Sequence, residues 1–91
     1  MARQPKRKRV RFALKADPQM DVFIAGSFND WNPKKKRMKP VGANGDYEAT
    51  MLIHPGRHEY KFVVDGEWRA DPSNPEWTND GMGSMNSVLH V

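Results

Sequence analysis

The chain has 91 residues, a formal net charge of +4 and no cysteine. A chain of this length forms one domain with a modest core, and the lack of cysteine excludes disulfides and thiolate metal sites. No apolar run approaches the length of a membrane span, so we expect neither a span nor a signal peptide. Because a cysteine-free composition fits a reducing compartment, we expect a cytoplasmic protein.

The positive charge is concentrated at the N-terminus. Removing the six cationic residues that precede residue 12 from the net charge of +4 leaves residues 12–91 at −2. Residues 1–9 are polar and basic, so we predict a disordered arm there, followed by one β-sandwich over residues 10–91. The arm could bind nucleic acid or another polyanion, although a solubilising tail is the commoner role of such a segment.

Apolar and polar residues alternate along most of the chain, beginning with Val10, Phe12 and Leu14. This period is typical of half-buried strands, and turn-forming residues separate the segments. The strands predicted in chain order are 10–16, 21–26, 36–41, 47–53, 58–64, 67–70 and 87–91. Without any helical periodicity, the pattern predicts an all-β protein, an antiparallel sandwich of seven to eight strands.

Asp65-Gly66 lies between two of these strands. This dipeptide favours a type I′ hairpin turn, because both of its central positions need positive φ. The register then places Val63 opposite Trp68, with Lys61 on the same outer face. The opposite face, which we expect to be the core face, carries Tyr60, Phe62 and Val64. A tryptophan on the solvent side of a sheet indicates a surface that binds something.

Three segments occur in order at a distinctive spacing. They are Gly26-Ser27-Phe28-Asn29-Asp30-Trp31, then residues 59–68 with Asp71-Pro72, then Met85-Asn86-Ser87-Val88-Leu89-His90-Val91. Together they resemble the family 48 carbohydrate-binding module. This family includes the glycogen-binding domain of the AMP-activated protein kinase beta subunit and the early-set domains of isoamylase and branching enzymes. The resemblance covers nearly the whole chain.

The resemblance implies an immunoglobulin-like early-set β-sandwich that binds α-1,4-glucans without cleaving them. It also implies a carbohydrate-binding set of two tryptophans, a lysine, an apolar residue and two polar residues on the loop before the last strand. By motif these are Trp31, Trp68, Lys61, Met82, Ser84 and Asn86. The segment around Met82 departs from the family pattern because it is glycine-rich.

The chemistry of these residues supports the same interpretation. A flat indole matches the apolar face of a sugar ring and loses little entropy on binding, while lysine and amide groups hydrogen-bond hydroxyls. Trp77 has no such motif, and we expect it to cover a sheet edge or to pack under the Asp71-Pro72 loop.

Catalysis finds little support in the sequence. No carboxylate pair, phosphate loop or metal-ligand spacing is evident, so we expect no enzymatic activity, no cofactor and no metal. We expect a glucan partner, no membrane association and no role in nucleic-acid binding for the folded part. The remaining alternative is a docking module beside a glycogen-metabolising enzyme or kinase.

Overall fold

The computed structural model describes residues 6–91, which contain nine strands and no helix. The strands are β1 (Lys8–Lys15), β2 (Val22–Gly26), β3 (Lys36–Arg37), β4 (Lys39–Val41), β5 (Asp46–Ile53), β6 (Arg57–Val64), β7 (Glu67–Arg69), β8 (Trp77–Asn79) and β9 (Met85–His90). All pairings between them are antiparallel.

The strands form two sheets. One has the order β1-β5-β4, and the other has the order β3-β2-β6-β9-β8, with β7 paired to the second half of β6. Buried side chains from both sheets form one core, as the predicted β-sandwich requires. The core consists of Phe12, Leu14, Val22, Ile24, Met38, Tyr47, Ala49, Ile53, Tyr60, Phe62 and Val64. The prediction of an all-β antiparallel sandwich is confirmed, although the described residues form nine strands instead of seven to eight, because residues 36–41 divide in two and residues 77–79 pair as a further edge strand.

Strand β6 lies at the centre of the larger sheet, and its alternation matches the predicted one. Tyr60, Phe62 and Val64 are buried in the core, and Phe62 has no exposed surface. The Asp65-Gly66 turn that follows has φ values of 47° and 83°, as a type I′ hairpin needs. Val63 is paired with Trp68, which confirms the predicted register.

The predicted strand over residues 36–41 is divided between the two sheets. β3 pairs with β2 in the larger sheet, whereas β4 pairs with β5 in the smaller one. Met38 stands between them, almost completely buried, and its backbone N–H donates to the carbonyl of Val22 at 2.7 Å. The chain therefore changes sheets at Met38 and closes one side of the sandwich, which alternation alone does not reveal.

The first strand begins earlier than predicted. Lys8 and Arg9 belong to β1 and are paired with Ile53 and Leu52 of β5. The expected disordered arm is therefore wrong for these two residues, because β5 is long enough to pair with them. The rest of that prediction concerns mainly residues 1–5, which lie outside the described residues.

Candidate functional site

An open groove of about 640 Å³ lies on the outer face of the six-stranded sheet, opposite the core. Its lining combines two indoles with cationic, acidic and amide side chains: Ser27, Trp31, Arg57, Glu59, Lys61, Trp68, Asp80, Met82 and Asn86. Five of the six residues proposed from the sequence are in this set. The sixth, Ser84, contacts the groove indirectly, because its Oγ accepts a hydrogen bond from Lys61 Nζ at 3.0 Å.

Trp68 reaches the groove because of the β6–β7 hairpin. Its position opposite Val63 directs the indole away from the core, and 44% of the residue is exposed. The turn is fixed to the start of the neighbouring strand through Asp65. The Asp65 backbone N–H donates to the carbonyl of Asp21, and Asp65 Oδ1 accepts from the Asp21 N–H, each at 2.8 Å. The indole thus projects from a hairpin whose turn is held in place by two hydrogen bonds.

Trp31 reaches the groove through an unusual turn after β2. Asp30 and Trp31 have φ values of 58° and 56°. Aspartate adopts this region readily, whereas a bulky residue such as Trp31 seldom does, at a cost of about 1–3 kcal/mol. Asn29, which is buried, stabilises the turn. Its Oδ1 accepts from the Gly26 N–H at 2.9 Å, and its Nδ2 donates to the carbonyl of Ile24 at 3.0 Å. The strained backbone directs Trp31 towards the groove.

Lys61 forms the floor of the groove and is only 8% exposed. Its ammonium donates to Asp80 Oδ2 at 3.0 Å as well as to Ser84 Oγ. Hydrogen bonds from the Met82 backbone N–H and from Lys61 lower the pKa of Asp80 below its usual value of 3.8. The carboxyl group of Asp80 is therefore ionised at neutral pH.

Another part of the groove is polar and centres on Glu59. Its carboxylate accepts from Asn86 Nδ2 at 3.0 Å and from Arg57 at 2.8 Å. The Asn86 bond, followed by the Arg57 bond, lowers the pKa of Glu59 below its usual value of 4.5. Ser27 ties this part to the turn after β2, because its Oγ accepts from the backbone N–H of Glu59 at 3.2 Å.

Residues 10–91 match the family described as the glycogen recognition site of AMP-activated protein kinase. The chain belongs to this glycogen-recognition family. The human 5′-AMP-activated protein kinase subunit beta-2 is 42% identical over 71 residues, which are 78% of this chain and 25% of that protein. The rice (Oryza sativa subsp. japonica) protein FLOURY ENDOSPERM 6, chloroplastic, is 33% identical over 83 residues, which are 91% of this chain and 15% of that protein.

Among solved structures, the maltogenic amylase from S. marinus superposes with a TM-score of 0.73 at 18% identity, covering 97% of this chain and 14% of that one. This likeness concerns the fold alone and supports the predicted immunoglobulin-like early-set sandwich. The chain thus spans a quarter or less of the relatives and of the solved structure named here. No helix in residues 6–91 is long and apolar enough to cross a membrane.

Four residues that line the groove were not among the site residues proposed from the sequence: Ser27, Arg57, Glu59 and Asp80. For two of them a signal was present. Alternation along β6 places Arg57 and Glu59 on the same face as Lys61. Asp80 gave no such signal, because it pairs with Lys61 across 19 positions of sequence.

Trp77 does not line the groove of this family member. Trp77 sits on the edge strand β8, in line with the expected sheet edge, but it is 57% exposed and packs less than we expected. Among residues 6–91, the acidic and histidine side chains do not gather into any group of three that could hold a metal ion.

Proposed function

We propose that this chain binds α-1,4-glucan of the glycogen or starch type in the groove, without cleaving it. The observation that carries the proposal is that Trp31, from the turn after β2, and Trp68, from strand β7, line one groove. Membership of the glycogen-recognition family supports the same ligand.

The groove offers two kinds of contact to a sugar. The indoles of Trp31 and Trp68 stack on the apolar faces of pyranose rings, and the exposed thioether of Met82 adds apolar surface. Asn86, Glu59 and the remaining N–H of Lys61 supply hydrogen bonds to hydroxyl groups. A chain of α-linked glucose units, which is curved and amphipathic, suits this combination.

The state of the two acidic side chains in the groove supports a non-catalytic role. Glycoside hydrolysis needs one protonated carboxyl group as the general acid, and enzymes raise its pKa to keep it so. In this groove a hydrogen bond from Asn86 lowers the pKa of Glu59, and hydrogen bonds from the Met82 backbone N–H and from Lys61 lower the pKa of Asp80. Neither carboxylate is suited to donate a proton to a leaving group near neutral pH.

A second candidate function is docking beside a kinase or a glycogen-metabolising enzyme. This candidate is favoured because the chain is 42% identical to part of a kinase beta subunit. The matched part is only 25% of that subunit, which is itself one component of a kinase. We propose that the groove holds the glucan and thereby brings the activity of such a partner to the polysaccharide. The cytoplasmic location inferred from composition stays a prediction, since the rice relative is named as chloroplastic.

Retention on amylose or glycogen resin, followed by a β-cyclodextrin titration read by tryptophan fluorescence, tests the proposal. A glucan binder remains on the resin at high salt, because the ligand is uncharged and its contacts with the groove are little screened. Binding of a polyanion by the basic arm would instead fall steeply with salt. Failure to bind amylose, glycogen and β-cyclodextrin at any salt concentration would refute the proposed function.

A further inference from the structure

The loop between β8 and β9, residues 80–84, is closed by a single carboxylate. Asp80 Oδ1 accepts the backbone N–H groups of Met82, at 2.8 Å, and of Ser84, at 3.1 Å. The backbone N–H of Asp80 donates in turn to the carbonyl of Ser84 at 3.0 Å. One oxygen of this side chain therefore holds the backbone of both Met82 and Ser84.

The second oxygen of the same carboxylate fastens the loop to the floor of the groove. Asp80 Oδ2 accepts from Lys61 Nζ at 3.0 Å, and this ammonium also donates to Ser84 Oγ at 3.0 Å. The two charged side chains are only 10% and 9% exposed, so water competes little for the pair. Lys61 thus has two of its three donors committed to the loop.

One other side-chain hydrogen bond supports the loop, from the Gly81 N–H to Asn79 Oδ1 at 2.9 Å, and it ends before Met82. Met82 is 87% exposed, and the glycines on either side of it have positive φ values of 84° and 86°. Glycine offers no side chain to pack and many alternative conformations. The position of Met82 at the groove consequently depends on the bonds that Asp80 makes.

From these contacts we infer that Asp80 is a positioning residue for glucan binding, which acts by holding Met82 in the groove. The inference rests on the proposed function of that groove. Lys61 then has two roles, because its ammonium anchors the loop and also faces the ligand. A free loop would have to be ordered when the glucan binds, and this loss of entropy would weaken the affinity.

A double-mutant cycle on β-cyclodextrin affinity tests the inference. We expect Asp80→Ala to weaken binding by about fivefold or more in the parent, but by less than about twofold in a Met82→Ala background, since coupled residues are not additive. Equal losses in the two backgrounds, or parent-like affinity of Asp80→Ala, would overturn it. A purely structural role would lower the melting temperature without this coupling.

Two further variants distinguish the roles of the two carboxylate oxygens of Asp80 and control for the change in net charge. Asp80→Asn keeps an oxygen for the loop N–H groups but turns an amide donor towards the Lys61 ammonium, so we expect an intermediate loss of affinity. Asp46→Asn, which removes a carboxylate that faces Lys15 on the other sheet, should bind like the parent. A similar loss in Asp46→Asn would attribute the effect to net charge and overturn the inference.

A measurement without ligand keeps this inference separate from the proposed function. Relaxation of the Met82 methyl group by NMR should show faster, larger motion in Asp80→Ala than in the parent. Unchanged relaxation would overturn the positioning role even if glucan binds. If the parent binds no glucan, the proposed function fails, and the relaxation data still decide whether Asp80 fixes the loop.

Discussion

The Nδ2 atom of Asn86 donates a 3.0 Å hydrogen bond to Oε1 of Glu59 on the wall of the groove. Because an ionised carboxylate only accepts, this bond fixes which end of the Asn86 amide faces Glu59. The amide oxygen and one N–H then remain for a ligand. Glu59 therefore orients a residue that the family resemblance assigns to sugar binding.

The first prediction concerns the pKa of Glu59. Asn86→Ala removes the largest cause of its lowering, so the pKa should rise towards 4.5. NMR titration of the Glu59 side-chain carboxyl carbon in the parent and the variant measures it. An unchanged pKa would mean that the Arg57 ion pair alone sets it.

The same shift predicts how stability depends on pH. The folded-state pKa of Glu59 lies below 4.5, so its ionised form favours folding above that value. The contribution is lost as the pH falls below 4.5 and through the folded-state pKa. Urea denaturation at about pH 7 and about pH 3 should show a smaller acid-induced loss in Glu59→Gln than in the parent. An equal loss in both proteins would contradict the prediction.

The third prediction concerns the two groove tryptophans. Trp31→Ala and Trp68→Ala should each weaken β-cyclodextrin binding by about 2 kcal/mol, roughly thirtyfold. The stability cost should stay near the surface range of about ±0.5 kcal/mol, because Trp68 is 44% exposed and Trp31 lies in a polar turn. Paired thermal melts and titrations measure both. Early melting, or parent-like affinity, would make these residues packing residues instead.

Trp77→Ala is the matched control for that experiment. The third indole of the chain lies on the edge strand β8, outside the groove. We expect parent-like affinity, together with a small change in melting temperature, since 57% of the residue is exposed. A loss of glucan affinity comparable to that of Trp68→Ala would show that the binding surface extends beyond the groove.

The fourth prediction concerns the core face of β6. Phe62→Ala should lower the free energy of unfolding by about 3–5 kcal/mol, because the ring is completely buried and its loss leaves a cavity. Urea denaturation measures the change. A melting temperature like that of the parent would be incompatible with the burial of Phe62.

Local chemistry explains which parts of the fold could be predicted from the sequence. The Asp65-Gly66 turn lies within a few residues of Trp68 and determines its pairing with Val63, so the hairpin was predictable from local sequence. The division of residues 36–41 was not, because the change of sheet at Met38 depends on packing between two distant strands.

The same distinction applies to the groove. Trp31, Lys61 and Trp68 could be proposed from motif and alternation, whereas the partner of Lys61 could not. A lysine on an outer face is ordinarily solvated, and only the fold brings Asp80 to it across 19 positions of sequence. The positive φ of Trp31 was equally hidden, because it depends on the buried hydrogen bonds of Asn29.

Strand β6 supplies the core with Phe62 and the groove with Lys61, on opposite faces of one eight-residue strand. The groove therefore exists only when this strand is folded into the sandwich, so that folding and ligand binding are thermodynamically linked. A ligand that binds only the folded chain raises its stability by about 2.7 kcal/mol at a hundredfold excess over Kd. A thermal-shift assay against β-cyclodextrin can thus report glucan affinity directly, and a core variant that is partly unfolded will appear to bind weakly although its groove is intact.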